Sequence, residues 1–187
     1  IIGALFFFFQ KSPCFPNMDN ISVGTVLIIM LYGCTLLPLP LKWDIRRWTE
    51  MHPLNGPAWS FYYEYIGNIL YALFVRKFNK VALSILVFLA ACATLHLCLT
   101  APNGDIVGGW ALNWEQQYVG FVRLLYPFFA GLLLSRLGWL IRVKKRAFWW
   151  CSLMIVIVLS VPRIGGEDGF WMNGLYEALC IIFIFPV

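Results

Sequence analysis

Long apolar runs alternate with short polar stretches along the whole chain. They lie at roughly 1–9, 21–37, 58–75, 81–100, 121–141, 147–161 and 174–187. The complete runs approach the ~20 residues that span a bilayer core as a helix. Alternation of apolar and polar positions, the mark of a half-buried strand, is absent. In lipid an open segment must satisfy its own backbone, which a helix does and an isolated strand does not. The pattern therefore predicts an all-α fold: a polytopic transmembrane helical bundle of about seven segments, as one membrane-embedded domain over 1–187. Both ends fall inside apolar runs, Ile1-Ile2-Gly3-Ala4 without Met and Ile181-Ile182-Phe183. They read as truncated helices, and the chain as an internal piece of a longer protein.

Composition strengthens the reading. Hydrophobic residues make up 61% and charged residues 12% of the 187 residues. A soluble domain is nearer half apolar and a quarter charged, and one of this length could not cover so much apolar surface. The six cysteines, Cys14, Cys34, Cys92, Cys98, Cys151 and Cys180, form no CxxC pair. Buried free thiols are expected, with neither a disulfide framework nor a metal site.

The net charge is +5. Its placement points to topology rather than to nucleic acid. The connections at 76–80 and 142–146 carry Arg76, Lys77, Lys80, Arg142, Lys144, Lys145 and Arg146. The positive-inside rule places both in the cytoplasm. The longer connections at 38–57, 101–120 and 162–173, with Asp44, Glu50, Asp105, Glu115, Glu167 and Asp168, then lie outside. Lys42, Arg46 and Arg47 go against that rule. With Trp43 and Trp48 they suit a loop lying in the membrane interface.

Charges inside apolar segments are the candidate chemistry, because one at mid-bilayer costs about 3 kcal/mol on insertion scales. Ser60, Glu64, Asn68 and Tyr71 share one face of a helix at their spacing. That stripe suits a buried site, and it equally suits a structural ion pair between helices. Arg123 precedes Pro127, which can kink a helix, and Ala130-Gly131, which permit close packing. It reads either as a binder of phosphate or carboxylate or as an interfacial arginine that snorkels. Arg136, nearer the basic end, reads as snorkelling. The topology sets Glu64, His96, Arg123 and Glu177 at similar depth in the outer parts of their helices. His96 reads as a packing histidine, and His52 lies just outside, before Pro53. No GxSxG elbow, Walker loop or HExxH is present, so the residues alone define a polar intramembrane site without a reaction.

The stretch Leu54-Asn55-Gly56-Pro57-Ala58-Trp59-Ser60-Phe61-Tyr62-Tyr63-Glu64 resembles the acyltransferase 3 family of membrane acyltransferases. That family carries a Trp-Ser pair followed, four residues after the Ser, by an acidic residue entering a helix. Gly120-Phe121-Val122-Arg123 through Pro127-Phe128-Phe129-Ala130-Gly131 is similar to a second family stretch. The resemblance implies transfer of an acyl group, often acetyl, from cytoplasmic acyl-CoA to a hydroxyl on a glycan or lipid-linked acceptor. It implies catalytic roles for Glu64 and Arg123, and substrate contacts from Trp59 and Ser60. Asn68, Tyr71, His52 and Glu177 are added as substrate-binding candidates from the polar positions described above. The family's first-helix histidine and its arginine motif have no counterpart here and are expected upstream of Ile1. No bound cofactor is expected; acyl-CoA enters as donor substrate. The expected setting is a lipid bilayer, as an integral protein of the bacterial inner membrane. The competing readings are a transporter or flippase for a charged or lipid-linked substrate, and a non-enzymatic membrane scaffold.

Overall fold

The computed structural model describes residues 3–4, 21–46, 49–102, 104–139, 146–165 and 169–184. Among them the regular elements are helices, and the only strand-like pairing is an isolated antiparallel bridge between Glu50 and Ala111. The main helices are α1 (Val23–Gly33), α2 (Ala58–Leu73), α3 (Lys80–Thr100), α4 (Trp114–Leu137), α5 (Ala147–Leu159) and α6 (Phe170–Leu179). A π-helical turn, Cys180–Ile184, continues α6. The chain divides into two compact units. One comprises Ile1–Ala72 with Gly108–Phe121, the other Leu73–Val107 with Val122–Val187.

The helices start and stop for local reasons. Ser22 caps α1, its Oγ accepting from the Thr25 amide at 3.1 Å. Thr35 and Leu36 end it in a turn, with Leu36 at φ 59, before Pro38 and Pro40. Asn79 caps α3 through the Ala82 amide at 2.8 Å, and Pro102 follows its last turn. Asn113 does the same for α4 through the Gln116 amide at 2.9 Å. This cap explains why α4 begins at Trp114 rather than at the expected 121. Glu115, Gln116 and Gln117 are too polar to extend an apolar run, yet all are good helix formers.

In the first unit, α1 packs Val26 and Ile29 against Ala4, Leu39 and Ile45, with Tyr32 and Leu54 alongside. Hydrogen bonds tie together the described residues of the 38–57 connection. Asp44 accepts from the amides of Arg46 at 3.0 Å and Thr49 at 2.6 Å. Met51 donates to Trp110 O at 2.8 Å, Leu112 to Thr49 O at 3.1 Å, and Leu39 to Met51 O at 2.9 Å. Lys42 lies 5.7 Å from the Trp43 ring centroid, and Trp43 meets Tyr32 edge-on. Helix α2 buries Ala58, Tyr63 and Gly67. Tyr63 fills the space a side chain at Gly120 would need, so Gly120 is the condition for this contact.

In the second unit, α3 and α6 pack together, with Gly174 set against the Cys98 carbonyl so closely that a Cβ would not fit. Ala90, Tyr126 and Ala130 form a small core with Ile181 and Ile182 beside it. The Tyr126 hydroxyl donates to Ile182 O at 2.8 Å, which occupies a carbonyl in the π turn. Arg136 does more than snorkel. Its guanidinium donates to the carbonyls of Phe78 at 2.6 Å, Val75 at 3.3 Å and Arg76 at 3.4 Å.

Helices α3 and α4 are long and apolar enough to cross a bilayer, whereas α1, α5 and α6 are shorter apolar helices. A count of seven spans is therefore not established. The expected segment at 1–9 lies outside the described residues apart from Gly3 and Ala4. Exposure nevertheless favours lipid as solvent. Helix α5 has no buried residue, and Phe148 is 73% and Leu159 72% exposed. Of the cysteines, Cys98 and Cys180 are buried as expected, while Cys34, in the turn after α1, and Cys92 and Cys151, on α3 and α5, are exposed free thiols. Cys14 lies outside the described residues.

Candidate functional site

The two units hold separate sets of polar residues. In the first, Pro57 precedes α2 and the Asn55 carbonyl accepts from the Ala58 amide at 3.0 Å, so the Asn55-Gly56-Pro57 turn launches the helix. Ser60 Oγ donates back to Pro57 O at 3.0 Å and serves this first turn. Trp59 meets the Tyr63 ring edge-on at 6.1 Å and lies against Gly109. Gly109 has φ 105, and its amide donates to Gln116 Oε1 at 2.7 Å. Tyr63 in turn meets Phe121 at 5.4 Å. The Trp59 end of the motif is thus fixed by an aromatic stack that the sequence reading did not identify. Its signal was the Gly108-Gly109 pair and Gly120, small residues placed where large rings must fit.

Glu64 sits one turn beyond Ser60 on the exposed side of α2. Asn68 Nδ2 donates to the Glu64 backbone carbonyl at 2.8 Å, so this amide is engaged within its own helix. Tyr71 is exposed on the same face. The predicted stripe Ser60–Glu64–Asn68–Tyr71 therefore exists as a face of α2, opposed to the buried Ala58, Tyr63 and Gly67.

His52 is better placed for chemistry than its position before Pro53 suggested. It is 6% exposed and lines a cavity of about 840 Å³ within the first unit. Ile29, Met30, Tyr32, Leu39, Arg46 and Asn55 are among the other residues lining it. Nε2 lies 3.3 Å from Leu36 O. Arg46 pairs with Glu50 at 3.3 Å. Burial pushes the Glu50 carboxyl above its ordinary range, a shift that Arg46 opposes. Burial also holds the His52 imidazole below its ordinary value of 6.5, opposed by the Leu36 hydrogen bond.

In the second unit the Glu177 carboxylate acts electrostatically on the Arg123 guanidinium. Arg123 lines a cavity of about 420 Å³ with Thr94, Ile106, Val122, Pro127, Gly131 and Ile181. Glu177 is fixed from the opposite direction. Its Oε2 accepts from the Ile106 amide at 3.0 Å, and its Oε1 lies 3.5 Å from Asn173 Nδ2. Asn173 also donates to Gly104 O at 2.8 Å and Asp105 Oδ1 at 3.1 Å. Asp105 is ion-paired with Arg163. Sequence reasoning isolated Glu177 and missed Asn173, which lies on the same face of α6 one turn earlier. It also treated Asp105 as a loop charge. His96 is exposed on α3, with its carbonyl accepting from Thr100 Oγ1 at 2.7 Å.

The described residues thus include two apolar helices of membrane-crossing length, a Trp-Ser-x-x-x-Glu turn entering α2 in the first unit and, in the second, an arginine lining a cavity under the influence of a carboxylate. The chain matches the acyltransferase 3 family, an acyltransferase domain, over residues 1–187, and belongs to it. It is thereby a membrane acyltransferase of that class. Neither a curated relative nor a solved structure matches the chain.

Proposed function

We propose that the chain takes part in O-acyl transfer, moving an acyl group, acetyl in the first place, from cytoplasmic acyl-CoA to a hydroxyl on an extracytoplasmic glycan or related acceptor. In that reaction the acceptor oxygen bonds to the thioester carbonyl carbon, the carbon–sulfur bond breaks, and the hydroxyl proton leaves with the CoA thiol. The carrying observation is the family match over the whole chain, joined to ionisable side chains kept on apolar helices where they are costly. Glu64, entering α2 behind the fixed Trp59, orients the proton-accepting group or the acceptor hydroxyl. Arg123, poised over its cavity with Glu177 as counter-charge, meets negative charge on the donor or on the tetrahedral intermediate. The basic sequences at 76–80 and 142–146 suit cytoplasmic connections under the positive-inside rule, which supports reading the chain as an inner-membrane protein of a bacterium. Isotope-labelled acetyl-CoA supplied to membranes containing the intact protein tests the reading. Label appearing in a glycan or lipid-linked pool supports it. Transport of an unmodified substrate without labelled product overturns it.

A further inference from the structure

Among the described residues His52 has one nitrogen in use and one without a partner. Only an N–H can bond a carbonyl, so the 3.3 Å contact with Leu36 O places the proton on Nε2. Nδ1 is then a lone-pair acceptor. It is buried, and among the described residues no donor reaches it. Buried polar atoms are nearly always hydrogen-bonded, and an exception calls for a reason. The ring lines a cavity of about 840 Å³, within the range of ~300–1,000 Å³ typical of small-molecule sites.

The other polar groups of that cavity narrow what it would hold. The Tyr32 hydroxyl donates to Pro38 O at 3.4 Å, and Arg46 is countered by Glu50. Most of the remaining lining is apolar, with Ile29, Met30, Leu37, Leu39 and Met51 on it. A neutral imidazole beside a compensated arginine offers little to an anion. His52 Nδ1 offers this mostly apolar lining a hydrogen-bond acceptor. We infer that this cavity binds a neutral, largely apolar alcohol, whose O–H donates to His52 Nδ1. That the alcohol is the acyl acceptor rests on the acyl-transfer reading; that the cavity binds it does not.

The test is photolabelling of the full chain in lipid nanodiscs with a long-chain alcohol carrying a mid-chain diazirine. Label is expected on peptides covering the cavity lining at 3–4, 29–39, 46 and 51–58. Dodecanol is expected to displace it about fivefold or more better than dodecyl methyl ether, the worth of one hydrogen bond, because the ether has no proton to donate. His52→Phe, which keeps a ring and removes the acceptor, is expected to abolish that preference. Equal displacement by alcohol and ether in the unmodified protein, or label falling outside these peptides, overturns the inference. The alcohol–ether comparison needs no variant to fold. The labelling needs no turnover, so failure of acyl transfer and failure of this site are separate results.

Discussion

Glu177 accepts the backbone amide of Ile106 at 3.0 Å, which ties the connection after α3 to the inner face of α6. The same carboxylate is the acidic group acting on Arg123. One side chain thus performs a structural task and an electrostatic one, and substitutions separate them.

Glu177→Ala removes a charge-assisted hydrogen bond and leaves the Ile106 amide without its acceptor. The expected loss is about 2 kcal/mol, read as a lowered thermal midpoint in detergent. Glu177→Gln keeps an acceptor oxygen and is expected to retain most of the stability. If it also lowers acyl transfer, the counter-charge to Arg123 matters for function. Equal destabilisation by both variants would show that charge, not hydrogen bonding, holds the connection.

Gly120 and Tyr63 form a packing pair with no slack. Gly120→Ala drives a methyl into the Tyr63 ring and is expected to cost about 1–3 kcal/mol by overpacking. Tyr63→Leu in the same background is expected to return part of it. Tyr63→Phe is expected to be neutral or stabilising, because the buried hydroxyl has no partner among the described residues. Thermal unfolding of the variants checks all of these.

Arg136 forks onto the carbonyls that close the turn after α2. Arg136→Lys keeps the charge but presents a single ammonium in place of the planar fork. An increase in amide exchange or proteolytic cutting at 74–79 is expected for Lys and a larger one for Met. If neither variant moves protection there, the carbonyl contacts do not hold the turn.

His52 offers a pH signature with a definite sign. Its folded value lies below the ordinary 6.5, with burial as the main cause. The unfolded chain therefore binds more protons in the window below about 6.5, down to the depressed folded value. His52's contribution is present in full above that window and is lost as pH falls through it. Imidazole resonances followed by NMR are expected to give a midpoint under 6.5 for His52. A midpoint at or above 6.5 would mean that the ring is solvated.

The helices were legible because bilayer physics leaves a strong mark. Runs of apolar residues locate α1, α2, α3 and α5 to within a few residues. The start of α4 was not legible, since Glu115, Gln116 and Gln117 interrupt the hydropathy although Asn113 caps the helix ahead of them. The π turn after α6 depends on the distant Tyr126 hydroxyl, which no local pattern encodes. At the site, Trp59-Ser60-x-x-x-Glu64 was visible from residue order. The electrostatic influence of Glu177 on Arg123 was not, because it links positions far apart in the chain through tertiary packing. The value of His52 was hidden for the same reason. A histidine before a proline looks like loop, and only the fold shows one nitrogen bonded and the other buried without a partner among the described residues.

The central claim is that the chain carries working parts of a membrane acyltransferase. Its most direct test is transfer from isotope-labelled acetyl-CoA to the membrane glycan or lipid-linked pool by the intact protein and by Glu64→Gln, at matched membrane expression. The account predicts labelled product from the unmodified protein and a loss on the order of 100-fold in Glu64→Gln, the usual worth of a group that assists proton transfer. Undiminished transfer by Glu64→Gln would contradict it.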